Sequence, residues 1–302
     1  MKKILSLCLI LFTATTIVSC DKNDGDNTTS SDKLVKVTVH LDGFEIFEET
    51  RSTALEAGVK RITFSVFDNQ GTKKKDIYQK DTDDNFGCVT FELPAGNYTM
   101  AAEGHTELAS NDDYSSIEMT NNIALATISS SSIGETFCGS KSLTVADDED
   151  EIIEELPFDR VSAKLQMITT MNQPSNAKKI EFTIGDPTKS AYSSYMLNVA
   201  TGYMSGLGTD GCIKIVKGLN PTDVGSPTTI AINVLIASDG QKLPVTVEAK
   251  TSDGEVISSH TVKSVPFHQN AKTTIKGPFY APPGSCVFQF NTDWNEDIDG
   301  GW

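Results

Sequence analysis

Apolar residues in this chain fall at every second position over short stretches, the period of strands with one buried face. In residues 33–42, Val35, Val37, Val39 and Leu41 share one face, while Lys36, Thr38, His40 and Asp42 share the other. Residues 61–67 repeat the pattern through Ile62, Phe64 and Val66, and Asp68-Asn69-Gln70-Gly71 then supplies turn residues. Residues 87–93 place Val89, Phe91 and Leu93 on one face; Pro94-Ala95-Gly96-Asn97 interrupts them, and Tyr98, Met100 and Ala102 resume. Proline removes a ladder donor, and the glycine is expected to supply the positive φ of a tight reversal. In the second half, strands are predicted over 161–167, 179–184, 213–216, 229–236, 244–249, 256–262, 273–276 and 287–290. Sustained helical periodicity is scarce, so the pattern predicts an all-β fold of two tandem antiparallel β-sandwich domains.

An internal echo supports two similar domains. Residues 60–68, KRITFSVFD, parallel residues 178–186, KKIEFTIGD, and Gly87-Cys88-Val89 parallels Gly211-Cys212-Ile213 in the same order. The acidic stretch 147–155, running into Leu156-Pro157, reads as the boundary, a solvated spacer in which like charges repel. The expected domains are therefore residues 34–156 and 157–302.

The N-terminus has a different pattern. Lys2 and Lys3 precede residues 4–18, an uncharged and largely apolar stretch that ends in Ile17-Val18-Ser19-Cys20. It is shorter than the roughly 20 apolar residues of a spanning helix and fits the core of a signal peptide. The ending resembles the bacterial lipobox. That resemblance implies cleavage between Ser19 and Cys20, a lipoprotein signal peptide over 1–19, and acylation of Cys20. Several acyl chains, at about 0.8 kcal/mol per buried methylene, would hold the chain at a membrane without any charge-based anchor. Residues 20–33 are polar and acidic and read as a flexible tether.

Charge narrows the choice of partners. The chain of 302 residues has 25 Lys and Arg against 41 Asp and Glu, a net charge of −16. Loss of the leader removes two lysines and no acids, which leaves −18. Such a surface argues against nucleic acid, because each phosphate contact needs a cation. The four histidines, His40, His105, His260 and His268, form no HExxH pair, and there is no G-x-S-x-G elbow, phosphate loop or G-x-G-x-x-G. No enzymatic activity and no cofactor are expected. Asp81, Asp83, Asn85 and Glu92 partly fit a calcium loop, but Gly87 falls one position late for its turn, and Asn295, Asp297, Asp299 and Gly300 begin a loop that the chain does not complete. Catalytic and metal residues are therefore expected to be none. Cys88, Cys138, Cys212 and Cys286 would remain after processing, either as buried thiols or as disulfides that export permits. Two tryptophans, Trp294 and Trp302, are the aromatic candidates for a glycan platform.

The strand, Pro-x-Gly turn and Tyr-strand unit resembles transthyretin-like β-sandwich modules. With the lipobox, several stretches in order resemble the fimbrillin superfamily, the lipoprotein pilins of type V pili. These are residues 59–68 with Gly71, Leu93-Pro94-Ala95-Gly96-Asn97-Tyr98, residues 156–165, Asn270, Thr273, Ile275 and Gly277 as an N-x-x-T-x-I-x-G strand, and residues 288–302 with Asp293-Trp294-Asn295. The resemblance implies a non-enzymatic fimbrial subunit or anchor, lipid-anchored on the outer membrane, surface-exposed and supporting cell adhesion. Its partners would be other pilin subunits joined by strand exchange, with host or bacterial surface ligands beyond them. In shaft subunits of that superfamily an Arg-specific protease removes the first strand with the lipid; anchors keep both. Here Arg51, before Ser52, is the candidate cleavage site, and residues 35–41 would be the strand removed. Arg160 is the matching arginine near the domain junction, at the start of a strand. The alternative is a surface glycan-binding lipoprotein on a similar β-sandwich frame.

Overall fold

The computed structural model describes residues 33–42, 58–106, 115–129, 134–205, 211–282 and 289–291. Those after Asp32 belong to one compact unit. The strands of the first half are β1 (Leu34–Leu41), β2 (Arg61–Asp68), β3 (Lys73–Lys80), β4 (Cys88–Pro94), β5 (Gly96–His105), β6 (Ser116–Thr120), β7 (Ile123–Ser129), β8 (Thr136–Val145) and β9 (Glu151–Leu156). Then come β10 (Asp159–Arg160), β11 (Ala163–Asn172), β12 (Lys179–Gly185), β13 (Ser194–Asn198), β14 (Tyr203–Met204) and β15 (Cys212–Gly218). The last are β16 (Pro227–Val234), β17 (Gln241–Lys250), β18 (Val256–Phe267), β19 (Lys272–Gly277) and β20 (Gln289–Asn291). The fold is all-β, as the alternation predicts.

One wiring occurs twice. In the first half β4-β1-β9 form one sheet and β10-β8-β5-β2-β3 the other; in the second half β16-β11-β19-β20 stand with β15-β12-β17-β18. The opening strand of each half, β1 or β11, lies between an antiparallel neighbour (β4 or β16) and a parallel one (β9 or β19). In the first half, Val37, Val39, Phe91 and Leu156 share an apolar cluster with Phe64, Met100 and Phe137 of the facing sheet. In the second, Leu165, Met167, Ile232 and Ile275 share one with Phe182, Val247 and Val262.

β2 and β12, the two copies of the echoed segment, hold the same central place in their sheets. The second echo does not correspond. Cys88 opens β4, a neighbour of β1, whereas Cys212 opens β15, a neighbour of β12. A Gly-Cys-apolar start suits any strand, so the likeness has no topological meaning.

Two insertions build a fifth sheet. The hairpin β6–β7 from the first half pairs through β7 with β13 and β14 from the second, in the order β14-β13-β7-β6. Its inner face, with Ile117, Ala126, Ile128, Tyr195 and Leu197, belongs to the second apolar cluster, together with Phe67, Ala101 and Cys138 from the outer side of the first half's larger sheet. That is why both faces of β2 are buried along most of its length.

The Leu93 to Tyr98 motif acts in an unexpected way. Gly96 does not adopt a positive φ. A Cβ there would stand 3.1 Å from the Tyr98 hydroxyl and 3.3 Å from its ring. The glycine leaves room for the tyrosine to fold back, and Tyr98 Oη donates to the Pro94 carbonyl at 2.9 Å. The N-x-x-T-x-I-x-G stretch is also explained locally. Asn270 takes φ of 52° between β18 and β19, a conformation that asparagine tolerates better than most residues. Thr273 Oγ1 then donates to the Pro266 carbonyl at 2.7 Å while Ile275 is fully buried.

Candidate functional site

The strand singled out from the sequence, β1, is the centre of its sheet. It pairs antiparallel with β4 from Leu34↔Pro94 to His40↔Cys88 and parallel with β9 from Lys36↔Glu151 to Leu41↔Leu156. Val35, Val37, Val39 and Leu41 are all 0% exposed. Backbone bonds close its ends: Lys36 N–H donates to the Asp150 carbonyl, Leu41 N–H to Gly87 and Asp42 N–H to Leu156. On the outer face Thr38 and Thr90 share a hydroxyl hydrogen bond of 3.2 Å. The seat of β1 is thus a slot between β4 and β9, floored by the facing sheet.

The acidic stretch 147–155 is not a solvated spacer. Residues 151–156 are β9, the parallel neighbour of β1, and Ile152 and Leu156 point into the core. Lysines outside the stretch meet its charges. Lys33 lies 2.8 Å from Asp150, Lys36 2.7 Å from Glu151, and Lys141 of β8 2.6 Å from Glu154. The Lys33 ammonium, by hydrogen bond and then by charge, holds the Asp150 carboxyl below its ordinary range. A folded-state value lowered in this way stabilises the fold above the ordinary carboxyl range, and that contribution is lost as pH falls through the lowered value. An NMR titration should find Asp150 below the usual aspartate range, and Lys33→Met should move it back up.

After β9 the chain crosses the larger sheet of the first half. The Pro157 carbonyl passes so close to Gly139 of β8 that a Cβ there would lie 1.6 Å from the oxygen. Arg160 then joins Glu135 at 3.0 Å, and Lys164 at the start of β11 reaches the same carboxylate at 3.2 Å. The Arg160 guanidinium also lies 5.4 Å from the centre of the Phe137 ring. Arg160 is 5% exposed, so a protease has no access to it in the folded chain.

Several sequence candidates lie outside the described residues: Ser19 and Cys20, Arg51 and Ser52, Cys286, Trp294, Trp302, and the acidic loop from Asn295. Cys88, Cys138 and Cys212 are free thiols, and burial pushes each upward in pKa. In the loop after β3, Asp81 pairs with Lys60 at 2.7 Å and Asp83 accepts the Lys80 N–H at 2.8 Å. Asn85 donates to the Cys88 carbonyl at 3.1 Å, so these side chains serve to hold the loop and to tie it to the start of β2. Among the described residues no group of three His, Cys, Asp or Glu side chains could hold a metal ion. The sequence reading missed the role of β9. Its signal was the Ile152-Ile153 pair, β-branched residues inside an acidic run.

A family model of fimbrillin-A associated anchor proteins Mfa1 and Mfa2 matches residues 30–299. No curated protein matches the chain. Among solved structures, a candidate adhesin from Bacteroides thetaiotaomicron is 15% identical, with a TM-score of 0.49 over 86% of this chain and 96% of that one. A candidate polysaccharide-binding protein from the same species is 11% identical, with a TM-score of 0.49 over 80% and 91%. The fimbrial anchor protein Mfa2 from Porphyromonas gingivalis is 12% identical, with a TM-score of 0.47 over 86% and 98%. With its model matched from residue 30 to residue 299, this chain belongs to the family of fimbrillin-A associated anchor proteins.

Proposed function

We propose that this protein is a non-enzymatic fimbrial anchor, acylated on Cys20 after cleavage behind Ser19 and displayed on the outer membrane. The residues between Cys20 and Lys33 serve as its tether, and the two halves, 34–156 and 157–302, act as two sandwich domains that repeat one wiring. Its partners are pilin subunits, joined by strand exchange, in a fimbrium that supports adhesion.

The observation that carries this reading is the match of residues 30–299 to the anchor-protein family, and the strand on which an anchor and a shaft subunit would differ is β1. Its apolar face is fully buried and its ladders are complete on both sides, so the first half needs no strand from outside. An anchor keeps its first strand together with its lipid, and a shaft subunit gives both up. Arg51 lies in sequence between β1 and β2, so a cut there would separate β1 and the lipid from the rest. In a shaft role β1 would then be replaced by a donated strand, whose backbone supplies the ladder bonds and whose alternate side chains fill the pockets of Val35, Val37, Val39 and Leu41.

Mass spectrometry of the protein taken from assembled fimbriae tests the choice. An N-terminus at acylated Cys20 is expected, and Cys20→Ser should release the protein from the membrane fraction. A chain that begins at Ser52 would overturn the anchor role and make the protein a shaft subunit.

A further inference from the structure

We infer that the fold is built to carry tension along the chain, with one shear clamp in each half. The inference concerns the response of the fold to force and stands whether or not the chain is lipid-anchored.

The first and last core strands of each half are parallel neighbours. β1 and β9 are joined over six register pairs, Lys36↔Glu151 to Leu41↔Leu156. β11 and β19 are joined over six more, Lys164↔Lys272 to Thr169↔Gly277. A pull between the two ends of the molecule enters β1 at its N-terminal end. It leaves β9 at its C-terminal end, passes through residues 157–162 into the N-terminal end of β11, and leaves at the end of β19. In parallel neighbours those two points lie at opposite ends of the ladder. The strands are therefore pulled lengthwise past each other, and the ladder bonds, evenly spaced in a parallel pair, are strained together. Peeling from one end would break them one pair at a time.

Side chains reinforce both ladders. In the first, Lys36 bonds Glu151 at 2.7 Å, and Val37 stands in register with Ile152 and Leu41 with Leu156. In the second, Thr274 Oγ1 donates to Gln166 Oε1 at 3.3 Å, and Met167 stands in register with Ile275. The short β20, held to β19 by three register pairs, would release first and pass the load to Gly277. The central position of β1 and β11 adds a second ladder on the other side of each, to β4 and β16. A strand gripped on both sides cannot rotate out of the sheet as it is drawn.

Single-molecule force spectroscopy on the mature chain tests this directly in two attachment geometries. With handles at the two termini, rupture is expected at high force. Release of 36–156 and of 164–277 should each lengthen the chain by about 400 Å at full extension, together or in two steps. In the second geometry the C-terminal handle moves to an azide-bearing residue in place of Ala95. Ala95 is exposed and follows Pro94, which is paired with Leu34, so both handles sit at one end of the β1–β4 ladder. There β1 should peel out at a several-fold lower force. The azide-bearing residue is present in both geometries and only the attachment point differs, so a loss of stability from the substitution does not enter the comparison. Equal rupture forces in the two geometries would overturn the inference, as would high-force events that fail to release those lengths.

Discussion

A chain that begins at Ser52, without β1, is expected to lose the cooperative fold of its first half. Three valines and a leucine leave a fully buried face. At about 1.5–3 kcal/mol each this amounts to about 6–12 kcal/mol, against a total stability of about 5–15 kcal/mol for a typical protein. The loss is greater than the side chains alone indicate, because β1 is the strand to which both β4 and β9 are laddered, and without it each would have both edges unpaired. Such edges invite pairing with any available strand. Purified truncated protein should therefore aggregate or lose its sigmoidal melting transition by circular dichroism. A synthetic peptide of residues 33–42 should restore it, and the same peptide with Val37→Asp should not, since a carboxylate cannot enter the pocket unpaired. A truncated chain that melts as the full chain does would remove the basis for strand exchange at this site.

Gly139→Ala should be the most damaging single methyl group in the described chain. The added carbon would stand 1.6 Å from the Pro157 oxygen and 2.7 Å from the Pro157 carbonyl carbon. Both partners are backbone, so no rotamer change relieves the overlap, and either β8 or the crossing after β9 must move. We expect a cost of about 4 kcal/mol or more, seen as a fall in melting temperature of about 10 °C. Gly218→Ala is the matched control. Nothing lies within 4 Å of its Cβ position, so no loss is expected there. If the two variants melt together, the close crossing at Pro157 is wrong. The crossing matters for function because it leads from β9 to β11, the path along which tension would pass from one half to the other.

Much of the fold was legible because alternation records which face of a strand is buried, whatever lies beside it. Val35, Val37, Val39 and Leu41, and likewise Ile62, Phe64 and Val66, turned inward as their spacing required. Strands without that record were missed. β3, with Lys73, Lys74, Lys75 and Lys80, is a sheet edge whose lysines protect an unpaired ladder, and its composition looks like a loop. β9 reads as a repelling spacer from its own composition because its neutralising lysines lie on other strands, Lys36 on β1 and Lys141 on β8. Lys36 and Glu151 are 115 residues apart, and local charge counting cannot pair them. A glycine after Pro94-Ala95 points to a backbone role, although the space Gly96 leaves serves the Tyr98 ring two residues on. The site was only partly legible: β1 was named from its pattern, but its seat was not, since the slot is made by β4 and by β9.

By itself, then, the sequence determined the strand class, the inward faces, the opening strand and the repeated central segment at β2 and β12. These follow from side-chain direction and from turn chemistry, which act over a few residues. Tertiary structure alone decided the neighbours. It set β9 parallel to β1, β19 parallel to β11, and β7 against β13 across the two halves. Strand partnership depends on which distant surfaces complement one another in charge and shape, and no local period encodes that. The consequence reaches function: an alternating segment becomes a sheathed central strand, pulled in shear, only once an acidic strand from the far end of the same half lies alongside it.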